Sequence, residues 1–136
     1  MAVIRNESLQ LSFFILKLLK FLYAIDVLQP MLFIETSIFT KQIKELVSDD
    51  EYRELQQELL VQPDKGDLIK NGGGIRKVRC AQGSKGKSGG IRVIYYWITE
   101  DDQIFMLLAY PKSVKENLTD KETAILRQLV KEQFHG

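Results

Sequence analysis

Ile104–Tyr110, IFMLLAY, is apolar at every position and stops at Pro111. A strand with one wet face alternates apolar and polar residues, whereas one buried on both faces does not. The run therefore reads as the central strand of a sheet, and the other elements have to be arranged around it. Ile91–Thr99, rich in β-branched and aromatic residues, reads as a second strand, joined to it by the hairpin turn Glu100–Gln103. Arg76–Ala81 alternates basic with small or apolar residues and reads as a third. Met31–Glu35 is a short apolar run and reads as the first strand.

The helices announce themselves by their starts. Thr36 and Ser37 can cap a helix, because a hydroxyl accepts from the free N–H groups of the first turn. Phe39, Ile43, Leu46 and Val47 then follow at helical spacing. Ser48 to Glu51 matches a capping box, so a second helix starts near Asp49, with Tyr52, Leu55, Leu59 and Leu60 as its apolar stripe. Pro63 and Gly66 end it. The pair reads as a helical hairpin covering one face of the sheet. Thr119 to Glu122 is another capping box, opening a last helix with Ile125, Leu126, Leu129, Val130 and Phe134 on one side. Asn71-Gly72-Gly73-Gly74 is a turn, or a close approach to a ligand, that needs glycine's backbone freedom.

Charge is distributed unevenly. The chain carries a net +1, yet Arg76, Lys77, Arg79, Lys85 and Lys87 lie between Lys70 and Arg92 with no acidic residue among them. The acids gather in 45–67 and 100–122. Two strands holding a flexible, glycine-rich basic loop form a platform suited to a polyanion. Gly86-Lys87-Ser88 invites comparison with a phosphate loop, but that motif needs glycine where Ala81 stands and a helix afterwards, and here a strand follows.

Residues 1–30 stand apart. Leu9–Leu28 is mostly apolar, but Lys17 and Lys20 interrupt it, each costing about 2.5–3.5 kcal/mol at the centre of a bilayer. The order of charge and small residues does not suit a secretory signal. The segment reads as an amphipathic helix attached to the domain or a partner, as a weak membrane anchor, or as an extension ahead of a true start at Met31. Pro30 separates it from a domain spanning 31–136, and no membrane association is expected of that domain.

One cysteine, Cys80, excludes an internal disulfide and points to a reducing compartment. One histidine, His135, is next to the last residue. No Ser-His-Asp or Cys-His arrangement can be assembled, and no metal site is expected. Any chemistry must use Lys, Arg, Tyr and carboxylates. RNA suits that restriction, because its 2′-hydroxyl is a built-in nucleophile. A catalyst must take that proton, neutralise charge on the phosphoryl oxygens and protonate the departing 5′-oxygen. Clustered lysines disfavour one another's charged form, which makes one of them a candidate base. Arginine grips phosphate with two hydrogen bonds, and tyrosine stacks on a base or passes a proton. Lys77, Arg79, Arg92, Tyr110 and Lys112 supply this set, with Arg76 on the face opposite Lys77. On composition alone, a solvated face or an electrostatic docking surface is the simpler account.

Three stretches carry a family resemblance: Gly74–Arg79 (GIRKVR), Gly86–Tyr96 (GKSGGIRVIYY) and Leu107–Lys112 (LLAYPK), with Lys115–Glu122 in support. From Met31 onward the chain resembles the RelE/ParE superfamily of type II toxins, and most of all its HigB-like branch. The resemblance implies an α+β fold, RelE-like, with N-terminal helices packed on a twisted antiparallel sheet of about four strands, plus a C-terminal helix. It implies a ribosome-dependent mRNA endoribonuclease that uses no metal or other cofactor, leaves a cyclic phosphate and a 5′-hydroxyl, and inhibits translation in the cytoplasm. Catalysis would rest on Lys77, Arg79, Arg92, Tyr110 and Lys112. Arg76, Lys85, Lys87 and Lys115 would contact RNA or the ribosome. The family's aromatic and basic positions after the last strand match Tyr110 and Lys112, whereas the RelE branch places its late tyrosine further along, where this chain has Val114 and Lys115. The implied partner is a HigA-like antitoxin with a helix-turn-helix, through which the pair would reach operator DNA. The alternatives on this fold are a ParE-like gyrase inhibitor and a non-catalytic nucleic-acid-binding module.

Overall fold

The computed structural model describes residues 2–5, 18, 31–83, 90–99 and 102–134. Among these residues, six strands form one sheet: β1 (Ala2–Arg5), β2 (Leu32–Glu35), β3 (Asp67–Leu68), β4 (Arg76–Cys80), β5 (Ile91–Ile98) and β6 (Gln103–Pro111). Their spatial order is β1-β2-β6-β5-β4-β3. Three helices complete the described chain: α1 (Ser37–Leu46), α2 (Asp49–Val61) and α3 (Asp120–Phe134).

The α+β class and the central place of the IFMLLAY run are as expected. The sheet departs from expectation in two respects. It has six strands rather than about four, and it is mixed, because β1 and β2 pair in parallel, as do β2 and β6. The hairpin with β5 covers only one edge of β6, so the apolar run must hydrogen-bond to something else on the other. β2 fills that edge in parallel, and the Thr36 N–H and hydroxyl donate to the carbonyls of Met106 (3.1 Å) and Leu107 (2.9 Å) just beyond it.

The expected extension at 1–30 contributes the outermost strand. Residues 2–5 pair with Leu32–Glu35, and Arg5 Nε donates to Glu35 Oε1 at 2.7 Å. Glu35 is fully buried, and it also accepts from Thr40 Oγ1 (2.7 Å) and the Tyr52 hydroxyl (2.5 Å). Apart from Leu18, the expected helix over 9–28 lies outside the described residues. Among the described residues no helix is long and apolar enough to cross a membrane.

The sheet is covered on both faces. α1 and α2 bury Phe39, Ile43, Tyr52, Leu55 and Leu59 against Phe33, Val93, Tyr95, Ile104 and Met106. α3 lays Leu126 and Val130 on Ile34, Ile94, Phe105 and Leu107 on the opposite face. Between β5 and β6 the register slips by one. Tyr95 lies opposite Met106, but Ile94 lies opposite Leu108, so Leu107 is an extra residue in β6. In the turn before β4, Gly74 takes φ 106°, and a Cβ there would stand 2.9 Å from the Tyr96 ring. Arg127 of α3 donates to the Asn71 carbonyl at 2.8 Å and ties that turn down.

All three predicted helix starts are present. The Thr36 hydroxyl accepts from the Phe39 N–H, and both Ser48/Glu51 and Thr119/Glu122 form reciprocal capping boxes. The two glutamates are held below the ordinary carboxyl range. Glu51 is held there by the N–H groups of Ser48 and Gly83, and Glu122 by its ion pair with Lys115 and then by the Thr119 N–H. A depressed carboxyl contributes stability that is fully present above its unfolded pKa, about 4.3. That contribution is lost as pH falls through the lower folded value. Removing the charge with Glu122→Gln is therefore expected to flatten the loss of stability between about pH 5 and pH 3, read by urea denaturation across that range.

Candidate functional site

β4 alternates, so Lys77 and Arg79 face one way while Val78 and Cys80 enter the core under α1 and α2. Across the sheet Arg79 pairs with Arg92, and Arg92 pairs with Tyr110. Residues directly opposite one another share a face. Two guanidinium groups and a phenol therefore stand in one row over three strands, with Lys77 one step along on the same side. This is the α3 side, just past the end of that helix's apolar cover.

Depth is graded along the row. Arg79 is exposed, Lys77 half-buried, Tyr110 6% exposed and Arg92 only 1% exposed. Arg92 Nη2 donates to Glu116 Oε1 at 3.2 Å. Its Nη1 is buried and has no hydrogen-bond partner among the described residues, and the same holds for the Tyr110 hydroxyl. A buried donor without an acceptor costs roughly 1–3 kcal/mol. Two such groups side by side mark a place that suits an oxygen-rich ligand.

Burial pushes the Tyr110 phenol up to about 12, against the opposing charge of Arg92, while Glu122 and Glu116 add to the rise. Tyr110 therefore keeps its proton at neutral pH and is available as a donor. Lys115 Nζ lies 5.0 Å from the Tyr110 ring centroid while paired with Glu122, so it packs against the site and holds one of its walls. Lys112 is exposed, its backbone N–H donates to the Gly90 carbonyl at 3.1 Å, and its charge acts on Glu116.

Sequence reasoning missed Glu116 and Asn117. Lys77 Nζ donates to Asn117 Oδ1 at 2.5 Å and to the Glu116 carbonyl at 3.5 Å. Desolvation works against the Glu116 carboxylate, but the Arg92 hydrogen bond and the charges of Arg92, Lys112 and Lys77 together hold it below its usual range. The available signal was two acceptor side chains between the last strand and a capping box, on a connection that must cross the sheet face to start α3.

Arg76 is placed elsewhere. Its Nη1 donates to the carbonyls of Gly66 (2.8 Å) and Asp64 (3.2 Å). Nearby, the Tyr95 hydroxyl accepts from the Gly66 N–H (2.9 Å) and donates to the Pro63 carbonyl (2.6 Å). Arg76 thus clasps the 63–66 turn, on the face of β4 opposite Lys77. Arg76→Ala is expected to lower stability by about 1 kcal/mol, as measured by urea denaturation. Arg79 also lines a groove with Glu51, Glu54 and Glu58 of α2. Lys85 and Lys87 lie outside the described residues.

A family model described as the RelE toxin of the RelE/RelB toxin–antitoxin system matches residues 31–135. The chain belongs to the RelE toxin family. The match takes in β2 through α3, and with them every cation of the candidate site. As a RelE-family toxin of a toxin–antitoxin system, the protein has an antitoxin as its implied partner. β1 lies outside the match.

Proposed function

We propose that this RelE-family toxin is a ribosome-dependent mRNA endoribonuclease of the HigB-like branch. The observation that carries the reading is the register of Arg79, Arg92 and Tyr110, with a buried guanidinium nitrogen and a buried phenol that have no partner among the described residues. A gyrase inhibitor has no need to gather such groups around one anion.

In this reading the substrate's 2′-oxygen attacks the adjacent phosphorus and the bond to the 5′-oxygen breaks. The products are a cyclic phosphate and a 5′-hydroxyl. Arg92 stabilises the charge growing on the phosphoryl oxygens. Tyr110, protonated at neutral pH, donates to the departing 5′-oxygen. Lys77 or Lys112, after releasing its own proton to solvent, takes the 2′-hydroxyl proton as the neutral amine. Arg79 and Lys112, exposed at the rim, hold neighbouring phosphates. The donors come from the protein and the nucleophile from the RNA, so the scheme calls for no cofactor. The ribosome presents the mRNA in the cytoplasm. A HigA-like antitoxin with a helix-turn-helix neutralises the toxin, and the pair reaches operator DNA through that partner.

The test is translation of a reporter mRNA in vitro with the purified protein, with 5′ ends mapped by primer extension. New ends inside translated codons are expected, with none on the same RNA lacking ribosomes. Double-strand DNA breaks with intact mRNA would replace this reading with gyrase poisoning.

A further inference from the structure

The candidate site is closed over its most important residue. Arg92 is 1% exposed, so a phosphodiester cannot reach it unless something moves. What lies on it is the connection between β6 and α3. Two consecutive side chains of that connection engage two of the proposed catalytic cations. The Glu116 carboxylate accepts from Arg92 Nη2 at 3.2 Å, and the Asn117 amide oxygen accepts from Lys77 Nζ at 2.5 Å. Both offer oxygen acceptors, as a phosphate would, and Glu116 also carries its negative charge. The Glu116 side chain is itself about half-exposed, so it can leave Arg92 for solvent without breaking the core. The second donor nitrogen of Arg92 and the Tyr110 hydroxyl stay buried without a partner among the described residues. Glu116 thus satisfies only part of the donor set that a phosphodiester could satisfy more fully.

We infer that Glu116 is an internal stand-in for the scissile phosphate, which RNA must displace from Arg92 before it can bind. This deepens the proposed function and rests on it. The consequence is selectivity for a strand over an isolated phosphate. Arg79 and Lys112, exposed at the rim, meet neighbouring phosphates first, and those contacts offset the loss of the Arg92–Glu116 pair. A ligand with one phosphate has no such compensation.

The experiment uses the full chain and a fluorescently labelled oligoribonucleotide with 2′-O-methyl groups, which binds but has no 2′-nucleophile. Affinity is read by anisotropy at low ionic strength for the wild type, Glu116→Gln, Glu116→Ala and Arg92→Ala. Removing a half-exposed competing carboxylate is expected to tighten binding about two- to five-fold. The gain should vanish when Arg92→Ala is combined with Glu116→Ala. The isosteric Glu116→Gln keeps shape and removes charge, so it guards against a simple packing effect. Equal or weaker binding by both Glu116 variants, with Arg92→Ala still impaired, overturns the inference alone and makes Glu116 a support for Arg92. Binding by Arg92→Ala equal to wild type removes the anion site itself, and the inference falls with it.

Discussion

Under the proposed function, Arg92→Met is expected to lower ribosome-dependent cleavage by about 10²–10³-fold while the protein stays folded. The two halves of that result have separate causes. The lost rate follows from removing donors aimed at charge that develops in the transition state. The retained fold follows from burial, because Arg92 is 1% exposed, its side chain has a single hydrogen bond among the described residues and Nη1 is left unpaired there. Replacing a buried, incompletely paired charge with an apolar side chain of similar volume is often neutral or stabilising. A melting temperature equal to or above wild type should therefore accompany the loss of activity. Arg92→Lys keeps the charge but loses the planar fork, and is expected to recover little of the rate. The measurements are primer-extension rates and thermal melts on the same preparations. Cleavage by Arg92→Met at the wild-type rate would remove Arg92 from the mechanism.

Glu35→Leu is expected to destabilise the fold by about 3 kcal/mol, roughly 10 °C in Tm, without touching the candidate site. The Glu35 carboxylate is fully buried and accepts from Arg5, Thr40 and Tyr52. Burial, and then the carboxylate itself, push the Tyr52 phenol well above its ordinary range, so it keeps its proton and donates. Leucine at 35 strands that hydroxyl inside the core. Tyr52→Phe alone leaves one carboxylate oxygen short of a donor, a loss of about 1–3 kcal/mol. Combining the two substitutions removes both unsatisfied groups together, and the double variant should be more stable than Glu35→Leu alone. Urea denaturation of the four proteins gives the coupling. Strictly additive losses would mean that the two groups do not depend on each other.

The network also shows where sequence reading stops. Glu35 looks like the polar end of a short strand, and Tyr52 like part of a helical stripe. Nothing in their spacing, 17 residues apart, brings them together. Arg5 belongs to a stretch read as a separate extension, and parallel pairing with β2 is a long-range event that local pattern does not encode. The helices were legible because caps and apolar periodicity are local. Thr36, Ser48 and Thr119 start them by bonding to the next turn of their own chain.

The site divides in the same way. Composition and order along the chain determined which residue types were available: clustered cations, one late tyrosine, one histidine at position 135 and one cysteine. Alternation along β4 determined that Lys77 and Arg79 share a face and that Arg76 does not. Tertiary structure alone decided that Tyr110 joins them. An unbroken β5–β6 ladder continuing the Ile98–Gln103 register would set Ala109 opposite Arg92 and turn Tyr110 to the other face. The extra residue Leu107 shifts the pairing by one and places Tyr110 beside Arg92. Whether such a bulge forms depends on how β6 fits two neighbouring strands and two helical layers at once, and no stretch of sequence carries that information by itself.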